Sequence, residues 1–168
     1  TFHSFCNTVI QENIRHFNKK ELESLSDLER VQFLKELIDG FTKDNPLKRY
    51  KGEIYYDLPN LAALFSAIKR EGWKEEWLIQ QIGEYINNII PQTDGFYSKR
   101  EKAKGNFALT QKGKDEVERM EKLKAAISAF DNYQQILHKN HRYDFDDMIN
   151  WVINIFETHE EVLRNYQE

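Results

Sequence analysis

One cysteine, three prolines and seven glycines are all that 168 residues hold of the types that staple or punctuate a chain. With Cys6 alone, an internal disulfide and a zinc-finger ligand set are both excluded, and a reducing compartment fits. So few glycines and prolines argue against a turn-rich β architecture. No apolar run approaches the roughly 20 residues of a membrane span, and no signal peptide is visible; a soluble, intracellular protein is expected. An excess of basic charge is missing too. The formal net charge is −4, so any nucleic-acid contact has to be local. There is no G-x-x-x-x-G-K-[S/T] loop: Lys112-Gly113-Lys114 lacks the leading glycine and the hydroxyl that would bind magnesium. Nor does any strand end in paired acids able to hold a metal-bound nucleotide. The chain alone is expected not to hydrolyse ATP.

What is present is helical. Hydrophobic residues make up 40% and charged residues 31%, enough for a core and for long solvated helix faces in one domain, or one domain plus parts of another. Phe2, Phe5, Cys6, Val9, Ile10, Ile14 and Phe17 recur at three and four residues, predicting a first helix with one apolar face. Ser26-Asp27-Leu28-Glu29 reads as a capping box opening a helix through Val31, Phe33, Leu34, Leu37, Ile38 and Phe41, with Gly40 as its stop. Asp44-Asn45-Pro46 marks a loop. Asp57 ahead of Leu58-Pro59 predicts a capped start with proline in the first turn. Leu61, Leu64, Phe65 and Ile68 then form a stripe that ends at Gly72.

A fourth helix follows through Trp73, Trp77, Leu78, Ile82, Tyr85, Ile86, Ile89 and Ile90, closed by Pro91. Residues 92–113 lose periodicity, with a short hairpin expected around Phe107-Leu109. One long helix is predicted through Val117, Met120, Leu123, Ile127, Phe130, Tyr133 or Gln134, and Leu137. Asp144 should cap a sixth through Phe145, Met148, Ile149, Val152, Ile153 and Phe156. Thr158-His159-Glu160-Glu161 reads as a second capping box for a short last helix with Val162, Leu163 and Tyr166. The fold class is all-α, with little or no sheet.

Several residues invite chemistry. His138, His141, Asp144, Asp146 and Asp147 cluster within ten residues, but the glycine of a calcium loop is missing, and helix ends and caps account for them more simply. Cys6 lies on an apolar face without a basic neighbour, which predicts a buried structural thiol rather than a nucleophile. Trp73, Trp77 and Trp151 fall on helical stripes and are expected in the core. The run Lys99-Arg100-Glu101-Lys102-Ala103-Lys104, continued by Lys112 and Lys114, has two readings. It is a solvated loop or, beside Phe96, Tyr97 and Phe107, a nucleic-acid contact. Thr1-Phe2-His3-Ser4 is either an ordinary helix start or a helix N-terminus that meets phosphate.

Thr1-Phe2-His3-Ser4-Phe5-Cys6 at one end, and Tyr143-Asp144-Phe145-Asp146-Asp147-Met148 with Tyr166-Gln167-Glu168 at the other, resemble two stretches of the UvrD/Rep/PcrA-like superfamily 1 DNA helicases. The middle matches only in helical character. The resemblance implies that residues 1–18 and 143–168 belong to motor domain 1A and that 19–142 form the inserted helical 1B domain. It implies Thr1, Phe2 and His3 on the single-strand track, with Lys99, Arg100, Lys102 and Lys104 as further DNA candidates, and Phe145 buried against the motor. No catalytic, cofactor-binding or metal-binding residue is assigned within the chain.

ATP and Mg2+ would act in the parent protein. The implied partners are single-stranded and duplex DNA and the remainder of the motor, with no membrane. The implied activity is 3′-to-5′ translocation and unwinding by a bacterial, cytoplasmic, nucleoid-associated helicase. Two rival readings stand beside it: a self-contained helical protein-interaction module, and a carboxylate-rich metalloenzyme.

Overall fold

The computed structural model describes residues 1–17, 23–98 and 108–167. They form helices almost throughout, joined by one two-residue parallel strand pair in which β1 (Glu23–Ser24) lies beside β2 (Arg142–Tyr143). The all-α expectation holds.

Helix α1 (Phe2–Glu12) buries Cys6, Val9 and Ile10. It stops earlier than its apolar pattern suggests, because the Asn13 side chain donates both to the Val9 carbonyl at 2.9 Å and to the Tyr166 hydroxyl at 3.1 Å. An asparagine that offers its own side-chain bonds competes with helix continuation. A 3-10 turn follows at Ile14–Phe17.

Helix α2 (Asp27–Asp39) starts at the expected capping box, with the Glu29 amide donating to Ser26 Oγ and the Ser26 amide to Glu29 Oε2. Helix α3 (Leu58–Glu71) departs from expectation at its start. Asp57 makes no side-chain cap because its carboxylate is occupied by Arg49 at 3.1 Å. It stops as predicted, at Gly72 with φ of 64°, a left-handed conformation that glycine adopts without a Cβ penalty.

Helix α4 (Glu75–Glu84) runs into a π turn (Tyr85–Ile89) and a 3-10 turn (Ile90–Gln92). Pro91 therefore sits inside the winding rather than just beyond it. A π turn shifts the hydrogen-bond register by one residue, the kind of adjustment that lets a helical stretch meet a proline.

A single antiparallel bridge, Tyr97 with Leu109, is the described part of the expected hairpin; Phe107 lies outside the described residues. The long helix predicted through Leu137 is two helices, α5 (Gln111–Ser128) and α6 (Phe130–Lys139), parted at Ala129. The Ala129 amide bonds back three residues to Ala126. That tight turn rephases the chain so that Phe130 and Tyr133 both meet the Phe65 ring, at 5.5 and 5.0 Å.

Helix α7 (Phe145–Thr158) begins at a full capping box between Asp144 and Asp147. Helix α8 (Glu160–Arg164) begins at His159 without a side-chain cap, since the Thr158 hydroxyl donates to the Asn154 carbonyl instead.

Two cores result. The larger joins α2 to α6 around Leu34, Ile38, Leu61, Phe65, Ile127 and Leu137. The smaller joins α1, α7 and α8 around Cys6, Val9, Ile10, Met148, Val152, Ile155 and Val162, so the two ends of the sequence pack together. Burial pushes the Cys6 thiol up from its ordinary value, in keeping with an inert structural cysteine. Trp73 and Trp77 are not core residues: they are 41% and 49% exposed and lie against each other at 6.5 Å. Their stripe runs along the margin of α4, where the larger core is already closed by Ile82 and Leu78. Among the described residues no helix is long and apolar enough to cross a membrane.

Candidate nucleic-acid interface

The first turn of α1 is held open by its own cap, with Thr1 Oγ1 accepting from the Ser4 amide at 3.3 Å. No acidic residue occupies that turn. The positive end of the helix dipole is therefore not offset locally, a condition that suits phosphate. Beside it the Tyr143 hydroxyl donates to Asn7 Oδ1 at 2.9 Å, tying β2 to α1 across 136 residues of sequence. Burial raises the Tyr143 phenol above its usual value, which keeps that donor protonated.

The His3 ring lies on the Phe145 ring. Between these contacts opens a cavity of about 350 Å³ lined by Thr1, His3, Ser4, Asn7, Ser24, Tyr143, Phe145 and Met148. Its wall is hydroxyls, an amide and rings, which can hydrogen-bond a phosphate or sugar and support a base.

Thr1 and His3 thus fall in one groove, and Phe2 stands beside them, exposed to solvent. Lys99, Arg100, Lys102 and Lys104 lie outside the described residues. Phe145 corrects an expectation: it is 40% exposed rather than buried. As the first residue of α7 it points away from the small core and serves as the groove's wall under His3.

Behind the Phe145 wall, at the start of α7, lies what the sequence did not announce. Lys69, near the end of α3, is only 6% exposed, and its ammonium donates to Asp144 Oδ2 at 2.5 Å and Asp147 Oδ2 at 2.9 Å. Asp144 and Asp147 are buried as well, and each also accepts a backbone amide of the capping box. The Asp147 carboxyl is raised above the ordinary carboxylate value, chiefly by burial and then by Asp144 beside it, against the pull of Lys69. Asp146 turns outward to accept from the Ser66 hydroxyl.

The carboxylates once weighed as metal ligands are thus engaged by Lys69, Ser66 and the start of α7. No group of three His, Cys, Asp or Glu is arranged around a metal position among the described residues. Lys112-Gly113-Lys114 opens α5 packed against Phe96. A Cβ on Gly113 would stand 2.1 Å from the Phe96 carbonyl oxygen, and the Lys112 ammonium lies over the Phe96 ring.

Sequence reasoning missed Asn7, Ser24 and Lys69. For Lys69 a signal existed, because it continues the buried stripe Leu61, Phe65, Ile68 at i+8 from Leu61. Asn7 and Ser24 carried none, since small polar residues are common on any helix face or strand.

The family model for the UvrD/REP helicase N-terminal domain matches residues 1–168. No curated protein and no solved structure matches the chain. The chain belongs to the UvrD/REP helicase N-terminal domain family.

Proposed function

From that membership, we propose that the chain is the DNA-contacting part of an ATP-dependent helicase that steps 3′-to-5′ along one strand and opens duplex. Residues 1–18 and 143–168 are assigned to motor domain 1A, and 19–142 to the inserted 1B domain. ATP and Mg2+ are assigned to groups outside this chain, because the sequence holds no G-x-x-x-x-G-K-[S/T] loop. The observation that carries the reading is the shared groove: the Thr1–Ser4 turn and the Tyr143–Met148 segment line one cavity. In it, Thr1 and Ser4 hydroxyls and the α1 amides face phosphate, while His3 and Phe145 support a base. The basic run at Lys99, Arg100, Lys102 and Lys104 supplies further phosphate contacts.

Fluorescence anisotropy with a labelled single strand, at low and moderate salt, tests this. Binding is expected in the roughly 10⁻⁴–10⁻⁶ M range of non-specific contact and should fall steeply with salt as counterions are released. Replacing Lys99, Arg100, Lys102 and Lys104 by Ala should weaken binding about equally for every sequence, since phosphate carries no base information. Binding that ignores both salt and the Thr1→Ala, His3→Ala pair would sink the groove reading.

The exposed Trp73 and Trp77 favour a second reading, a helical module that docks a partner protein. They border an apolar groove with Leu64, Leu78, Met120 and Leu123. A partner lost on Trp77→Ala, with DNA binding absent throughout, would put that reading first.

A further inference from the structure

One contact between the two cores is charged. Four hydrogen bonds link the last two turns of α3 to the head of α7. The Ser66 hydroxyl donates to Asp146, the Lys69 ammonium donates to Asp144 and Asp147, and Asn150 Nδ2 donates to the Lys69 carbonyl at 3.0 Å. The α3 residues belong to the larger core, while α7 carries the smaller. A buried ammonium held by two carboxyls has a defined length and direction, unlike an apolar contact, which slides. Directly beyond it, at the head of α7, Phe145 carries the His3 ring and forms the groove wall.

We propose that Lys69 is a positioning residue: by pairing with Asp144 and Asp147 it sets the head of α7, and with it the Phe145 wall of the Thr1–Phe145 groove, in register with the helical layer α2–α6. Its consequence for DNA rests on the function proposed above; the joint itself does not.

One ammonium faces two carboxyls, so the cluster has one acid in excess. The other groups around Asp147 are Tyr133 from α6, whose ring lies 5.7 Å from the Lys69 ammonium, and Arg142 and His138, which share a cavity with Asp147. Arg30 of α2 also acts on the Tyr133 phenol, pulling its value down against the burial that raises it. Arg142 is already paired with Glu29 at 2.8 Å and Glu23 at 3.1 Å. Lys69 is thus the cation the two carboxyls share. Because the Asp147 carboxyl sits above its ordinary value when folded, its contribution is fully present below the unfolded carboxylate range and is lost as pH rises through the folded value. Removing Lys69 takes away the opposing pull and steepens that loss.

Amide exchange over residues 144–150 of the whole chain, read at pH 7 and pH 5, tests the joint without DNA. Lys69→Met is expected to lower protection about 100-fold or more at pH 7, since it strands two buried carboxyls. The loss should shrink at pH 5, and Asp147→Asn added to Lys69→Met should restore part of it at pH 7, since Asp144 is still stranded. Unchanged protection, or an equal loss at both pH values, overturns the proposal, because a packing role alone does not respond to pH. If Lys69→Met does not fold, Asp147→Asn alone decides. It should flatten the fall of stability as pH rises above the ordinary carboxylate range, and a retained slope overturns the joint. DNA affinity measured on the same variants should follow the order of protection. Protection that behaves as expected while affinity stays flat upholds the joint and overturns the strand-contact reading.

Discussion

Glu29 is a single residue serving two ends of the chain. Its carboxylate accepts from Ser26 to close the α2 capping box, and it also accepts from Arg142 at 2.8 Å beside the strand pair. Those bonds, the Ser26 hydroxyl first and the Ser26 amide and Arg142 after it, hold its carboxyl down to about 2. A depressed carboxyl contributes stability above its unfolded value, and that contribution is lost as pH falls toward about 2. Ser26→Ala should therefore raise the Glu29 value toward the ordinary one of roughly 4.3. A carbon-detected NMR titration of the Glu29 carboxyl reads this directly; a value still near the wild-type one would mean that Arg142 alone holds it. At this scale the sequence was informative at local pairs such as Ser26 with Glu29 and Asp144 with Asp147, though not at Thr158, whose hydroxyl turns back to Asn154. It was silent where partners lie far apart along the chain. Lys69 meets its carboxyls 75 and 78 residues away, and no local spacing encodes that. Phe145 misled for a related reason, since an aromatic at a helix start looks like core until the fold shows which side of the cap is solvent.

Two helical glycines show how an element's surroundings reverse the sign of one substitution. Gly83 in α4 has nothing within 4 Å of where a Cβ would stand, whereas at Gly113 in α5 the Phe96 carbonyl oxygen lies 2.1 Å away. Gly83→Ala should then stabilise by about 0.5–1 kcal/mol through lost backbone freedom in the unfolded chain. Gly113→Ala has the same gain on offer, but it forces backbone apart at a cost of about 1–3 kcal/mol, and the net effect should be destabilising. Denaturant midpoints for the pair check it, and equal shifts of the same sign would refute the close approach. A second contrast belongs to helices α3 and α4. Phe65, which stacks with Phe130 and Tyr133 in the larger core, should cost about 3–5 kcal/mol on truncation to Ala. Trp77→Ala at an exposed margin should cost about 1 kcal/mol or less. A Trp77 loss as large as that of Phe65 would return the tryptophan to the core. Periodicity found these helices because apolar spacing is what burial requires. It did not find the break at Ala129 or the π turn at Tyr85–Ile89, for both are changes of phase imposed by what the helix packs against. Nor could it rank the tryptophans, since a stripe gives a direction but no depth.

Across the whole molecule the smaller core is thin, and its outer side is apolar. Phe2 is 61% exposed, and Phe5, Phe145 and Ile153 are also exposed around α1 and α7. Isolated apolar residues at a surface are ordinary, but four aromatic or branched side chains exposed on the two helices of one small core offer apolar area of the kind that ends in association. In the reading proposed above, that side is where the remainder of the motor sits. The isolated chain then carries an uncovered contact surface, which should show itself as concentration-dependent self-association. Phe2→Ser with Ile153→Ser should lower that association in sedimentation velocity while leaving thermal stability nearly unchanged, because surface substitutions away from buried features usually shift stability by no more than about 0.5 kcal/mol. Phe2→Ser alone should act in the same direction and less strongly, as one of several residues sharing the area. The buried neighbours supply the control: Val9→Ser and Val152→Ser open the small core itself and should unfold α1 and α7 rather than solubilise them. A chain that stays monomeric at all concentrations, with the double variant indistinguishable from it, would show that these side chains are covered well enough in the monomer and that the α1–α7 face is not a contact surface at all.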